Sequence, residues 1–147
     1  MPDADDALAL DRQLCFALVA SARSVVSLYR PVLEPLSLTH PQYLVMLALW
    51  ERDPRSVKGL SEALQLEPAT LSPLLKRLEV TGYVERKRSS SDERSLEVTL
   101  TDAGRALRAE AERIPHQIVE RLGLPVSDLE SLRESLHAII GAALRTP

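Results

Sequence analysis

The sequence predicts a mainly α-helical chain carrying one small β-hairpin. Apolar residues recur at spacings of three and four through most of the 147 residues. The period shifts to two only around residues 83–86 and 96–100. Aromatic residues make up just 3% of the chain, so Leu, Val, Ile and Ala must build the core, as in helix-rich proteins.

Residues 8–30 set Leu10, Leu14, Ala17, Leu18, Ser21, Val25 and Leu28 on one stripe, with Pro31 and Pro35 expected to stop that helix. Thr39 reads as the N-cap of a second helix with Pro41 just inside it. That helix is apolar nearly all round as far as Asp53-Pro54, so burial is expected. A short helix over 57–64 and a tight connection, Gln65-Leu66-Glu67, lead to a helix from Pro68 to Gly82, a natural left-handed C-cap. Pro73 would remove one of its hydrogen bonds; a shorter helix capped by Ser72 is the alternative. Two strands flank the polar turn Ser89-Ser90-Ser91-Asp92-Glu93. Thr101-Asp102 opens a helix to about Leu122, Gly123 and Pro125 break it, and Ser127-Asp128-Leu129-Glu130 matches a capping box for the last helix.

No run of about 18 apolar residues without charge appears, which argues against a membrane span. The acidic start, MPDADDALAL, lacks the layout of a signal peptide. A single cysteine excludes an intrachain disulfide and suits the reducing cytoplasm. Net charge is −3, yet residues 53–94 hold eight Lys/Arg against seven Asp/Glu. The positive charge is local.

Two short helices joined by a tight turn and followed by a basic hairpin form a winged helix-turn-helix, placed at residues 55–100. Its second helix would enter the major groove. Ala69, Thr70 and Ser72 near its start let the backbone approach base edges, while Lys76 and Arg77 suit phosphate or guanine. Arg86, Lys87, Arg88 and Arg94 give the wing its charge, with Asp92 placed to hold Arg94. Three basic residues alone would be an ordinary solvated run; the whole arrangement points to double-stranded DNA. The helical segments 8–36 and 102–145 carry more apolar surface than so small a core needs. Their use is either a larger monomer core or, more simply, a homodimer reading a palindromic operator.

Asp92-Glu93-Arg94-Ser95-Leu96, with Leu100-Thr101-Asp102-Ala103-Gly104 after it, resembles the wing signature of MarR-type repressors. Leu14-Cys15-Phe16-Ala17-Leu18, Leu28-Tyr29-Arg30-Pro31, Pro41-Gln42-Tyr43-Leu44 and Leu71-Ser72-Pro73-Leu74-Leu75-Lys76-Arg77-Leu78 resemble the organic-hydroperoxide-sensing OhrR branch, in its one-cysteine form. The similarity runs over residues 8–145. It implies a homodimer that binds its operator when reduced and releases it once organic hydroperoxide oxidises Cys15, with Tyr29 supporting the thiolate. With no second cysteine in the chain, the sulfenic acid would go on to a mixed disulfide with a small thiol, a sulfenamide or over-oxidation. Tyr29 follows Cys15 by 14 residues, about 21 Å along one helix. The two can meet only across two subunits. Val19 and His40 stand where relatives often have tyrosine; His40 would substitute as a donor or cation, or serve as an ordinary helix-terminal histidine.

By position alone, Cys15 would be a packing residue. Phe16, Val19, Met46 and Trp50 are candidates for an apolar lining around it, or simply core. The competing readings are a repressor released by an apolar or phenolic ligand, and a thiol peroxidase, which lacks any companion catalytic group. A metal sensor has no support either, since Cys15, His40, His116 and His137 show no ligand spacing. No cofactor is implied.

Overall fold

The computed structural model describes residues 6–89, 91 and 95–147. They fall into two compact units, one ending at Glu112 and the other running from Arg113 to Pro147.

In the first unit a 3-10 turn, Leu10–Arg12, precedes α1, Leu14–Leu33. Gln13 is extended (φ −83°, ψ 127°) and separates the two. The helix expected from residue 8 therefore starts at Leu14, and Cys15 stands in its first turn rather than at its middle. Pro31 does not stop α1. So close to the end it forfeits one bond, to the Ser27 carbonyl, and the Glu34 amide still donates to the Arg30 carbonyl. A 3-10 turn with Pro35 in its first turn and Ser37 in the left-handed region (φ 58°) ends the segment. By length and composition alone, Leu14–Leu36 could cross a membrane, at a mean hydropathy of 1.2. Arg23 near its centre would cost about 2.5–3.5 kcal/mol there.

Helix α2, His40–Glu51, opens on a full capping box: Gln42 donates its amide to Thr39 Oγ1, and the Thr39 amide donates to Gln42 Oε1. Val45, Met46 and Leu49 are wholly buried, while Leu44 and Leu47 stay exposed. A two-residue strand β1, Arg55–Ser56, comes next. Then Ser56 caps α3, Val57–Leu64. Gln65 takes the left-handed turn (φ 54°), and α4 runs from Pro68 to Thr81 straight through Pro73. Gly82 (φ 94°) closes α4, its amide donating to the Leu78 and Glu79 carbonyls.

Strands β2, Val84–Arg88, and β3, Leu96–Leu100, form the wing. The sheet is antiparallel in the order β1-β3-β2, with Val84 opposite Leu100 and Arg86 opposite Val98. β1 was too short for a periodicity to betray. Helix α5, Asp102–Ala111, is capped by Thr101, whose hydroxyl also donates to the Gly82 carbonyl. A side chain at Gly104 would run into the Tyr83 carbonyl, so only glycine lets α5 lie against the start of β2.

The second unit holds α6, Ile114–Leu122, and α7, Val126–Arg145. One helix was expected over 102–122. It is interrupted after Ala111 because Pro115 cannot donate to that carbonyl and instead occupies the first turn of α6. The predicted capping box at Ser127 does not form: α7 starts at Val126 with Pro125 as its N-cap and no side-chain bond. None of the residues of α7 is buried.

Candidate nucleic-acid interface and cysteine site

Helix α4 sorts its residues by period. Leu71, Leu74, Leu75 and Leu78 are buried, and the opposite face presents Ala69, Thr70, Ser72, Pro73, Lys76 and Arg77 to solvent. The five α4 residues predicted from sequence thus share one exposed surface. Neither Lys76 nor Arg77 has a carboxylate partner among the described residues.

The wing is less uniform. Arg86 Nε donates to Glu79 Oε1 of α4. Lys87 Nζ lies 3.3 Å from Glu85 Oε2 on its own strand, and Arg88 is exposed at the end of β2. Asp92 and Arg94 lie outside the described residues. Behind the hairpin, Asp53 Oδ1 accepts from Thr99 Oγ1 at 2.9 Å and from the Leu100 amide at 3.3 Å, and Arg105 sits 3.8 Å from Asp53 Oδ2. These contacts fix β3 from the side away from β2.

Cys15 is an exposed free thiol at the second position of α1. Because α1 is continuous from Leu14 to Leu33, Tyr29 is about 21 Å further along its axis. The structure does not bring Cys15 and Tyr29 together within one chain.

It does join Tyr29 to His40. Their ring centroids are 5.0 Å apart in an edge-to-face arrangement, a favourable geometry for aromatic rings. Tyr43, which sequence reasoning missed, completes the cluster at 5.8 Å from Tyr29 and 6.4 Å from His40. Its spacing of three from His40 on a capped helix was the available signal. Burial lowers the pKa of His40 and raises that of Tyr29. Tyr43 is pushed up to about 12, by burial first and by the neighbouring Tyr29 second. Burial thus favours the uncharged form of all three rings.

Of the proposed apolar lining, Phe16 and Val19 are exposed on α1, whereas Met46 is wholly buried core. Trp50 is a tie between elements: its indole N–H donates to the Gly104 carbonyl at 2.9 Å. Tyr83, also missed, donates its hydroxyl to the Leu36 carbonyl at 2.7 Å and so links the start of the wing to the turn after α1. No group of three His, Cys, Asp or Glu side chains suited to a metal occurs among the described residues.

Compared with known proteins, residues 27–110 match the family of transcriptional regulators SarA/Rot. The organic hydroperoxide resistance transcriptional regulator of Bacillus subtilis is 42% identical, over 92% of this chain and 92% of that protein. The HTH-type transcriptional regulator TtmR of Methylorubrum extorquens is 43% identical, over 94% of this chain and 74% of its own length. Among solved structures, reduced AbfR bound to DNA aligns with a TM-score of 0.75 at 34% identity, covering 92% of this chain and 95% of that one. Disulfide-formed AbfR aligns with a TM-score of 0.66 at 34% identity, covering 93% of each. AbfR is a Staphylococcus epidermidis protein.

Proposed function

Since the chain belongs to the SarA/Rot family of MarR-like winged-helix transcriptional regulators, we propose that it is a cytoplasmic repressor that senses organic hydroperoxide through Cys15. The reduced protein binds a palindromic operator as a homodimer, with Ala69, Thr70, Ser72, Lys76 and Arg77 of α4 in the major groove. Lys87, Arg88 and Arg94 of the wing meet the flanking backbone or minor groove, with Asp92 holding Arg94 in its reading pose.

One observation carries the sensing reading. The thiol is presented at one end of α1 and the paired Tyr29 and His40 at the other, too far apart to meet in one subunit. A second copy laid across α1 supplies the missing half, and any change at the sulfur then acts on the subunit interface itself. The similarity to a hydroperoxide-resistance regulator, and to a regulator solved both reduced on DNA and with a disulfide formed, supports the same reading.

In the first step the Cys15 thiolate attacks the terminal oxygen of the hydroperoxide. The O–O bond breaks, sulfur is oxidised by two electrons to sulfenic acid, and the alkoxide leaves with a proton as the alcohol. A small thiol then condenses with the sulfenic acid, expelling water and leaving a mixed disulfide.

The test is fluorescence anisotropy of the reduced protein on its upstream promoter DNA, titrated with cumene hydroperoxide in the presence of glutathione, for wild type and Cys15→Ser. Release in wild type alone is expected. Release in both proteins transfers the signal to a ligand pocket, and release in neither removes the hydroperoxide assignment while leaving the DNA reading standing.

A further inference from the structure

We infer that Arg86 is a positioning residue: paired with Glu79, it locks the wing to the DNA-reading helix at the angle both need to meet one duplex. This rests on DNA reading by the α4 and wing surface.

Strand parity comes first. Val84 and Arg86 share a face of β2, and Val84 together with the cross-strand partners Val98 and Leu100 is buried. Arg86 therefore emerges at the rim of the core, on the side where β2 packs against α4. There it meets Glu79 in the last turn of α4, and the two side chains retain only 27% and 33% of their exposure. Lys87, on the opposite face, is 68% exposed. Arg88 carries no carboxylate partner among the described residues. Three neighbouring cations thus have three different environments, and Arg86 has the one least available to a phosphate.

Position in the chain explains what such a lock is for. Helix and wing are joined through Gly82, whose left-handed backbone is the most permissive point between them. Hydrogen bonds already brace it, among them those from the Tyr83 amide to the Leu78 carbonyl and from the Thr101 hydroxyl to the Gly82 carbonyl. The Glu79–Arg86 pair spans the same joint further out, where a small change of angle moves the wing tip most.

Salt dependence separates this role from direct contact. Each phosphate contact contributes about 0.9 to the slope of log K against log salt, so about 1.8 in a two-fold dimer. The experiment measures anisotropy of the full-length protein on a fluorescein-labelled duplex of its upstream promoter region, from 50 to 200 mM salt on the order used for such slopes. The variants are Glu79→Gln, Arg86→Gln, their double variant and Arg88→Gln. Glu79→Gln is expected to weaken binding by about threefold or more, as loss of one partner of a half-buried pair does. Simple electrostatics predicts the opposite sign, because a negative charge is removed from a DNA-facing surface. Arg86→Gln should weaken binding equally without changing the slope, and the double variant should be no worse than either single one. Arg88→Gln should lower the slope. The exchanged pair, Glu79→Arg with Arg86→Glu, should recover affinity, and thermal melts of every variant exclude misfolding as the cause. Tighter binding by Glu79→Gln, or a slope lost in Arg86→Gln as in Arg88→Gln, overturns the inference. Failure of the wild type to bind any upstream duplex would instead remove the DNA reading beneath it.

Discussion

In the helix-turn-helix each helix is covered on its inner face, and several of its ends are capped. Ser56 caps α3, Gly82 ends α4, Thr101 caps α5, and Leu60, Leu71, Leu75 and Leu78 are wholly buried. Helix α1 is longer and rich in apolar residues, yet it buries only Leu33. Leu14 is 63% exposed, Val19 47% and Phe16 41%. A buried side chain of this kind contributes about 1.5–3 kcal/mol, so leaving several in water is a large unused term. The reading half is complete as one chain. The cysteine-bearing helix leaves apolar side chains in water within the single chain.

The same substitution placed in each half sharpens that contrast. Leu75→Ala should cost about 2–5 kcal/mol of unfolding free energy, read from urea titration, because it opens a cavity in a closed core. Leu14→Ala removes a side chain of the same chemistry from an exposed site. It should leave the unfolding of the single chain nearly unchanged and raise the dimer dissociation constant about tenfold, by sedimentation velocity at graded concentrations. Equal effects of the two on folding would erase the distinction between the halves. Gly104→Ala probes the joint between α5 and the wing. It should cost about 1–3 kcal/mol, since backbone rather than a flexible side chain must give way. Tyr83→Phe loses one bond to the Leu36 carbonyl, worth about 0.5–1.5 kcal/mol in thermal unfolding.

The two halves also differ in how far they can be read from sequence. The reading half follows local rules. Gly82 and Thr101 cap as their types dictate, and the switch from spacings of three and four to a period of two locates the wing. Some local rules failed at prolines: Pro31 was tolerated near a helix end, and Pro115 divided what periodicity alone joined. Strand β1 was too short to leave a pattern. At the site, the exposed row on α4 was legible because amphipathic spacing assigns faces. The Glu79–Arg86 pair was not, because a basic residue on the inward parity of a strand looks like any other in a run of three. The Tyr29, His40 and Tyr43 cluster depends on how α1 crosses α2, a tertiary fact that spacing along one helix cannot supply.

Protonation offers the gentlest way to separate the two regions, because His40 and Tyr43 both belong to the aromatic cluster between α1 and α2. Burial lowers the His40 pKa below its ordinary value near 6.5, so the unfolded chain binds that proton more tightly than the folded one. The stability this gives is fully present above 6.5 and is lost as pH falls through that value toward the folded pKa. Tyr43 works in the other direction: its pKa rises from 10.0 to about 12, so its contribution is present below 10.0 and is lost as pH climbs toward 12. His40→Gln should therefore flatten the acid limb of a stability–pH curve, and Tyr43→Phe the alkaline limb. Neither change should alter the salt slope of DNA binding, since the cluster lies on α1 and α2 rather than on the α4 and wing surface. A His40→Gln protein whose acid limb is unchanged would place the titrating group elsewhere, and a shifted salt slope would mean that the aromatic cluster and the α4 and wing surface are electrostatically coupled.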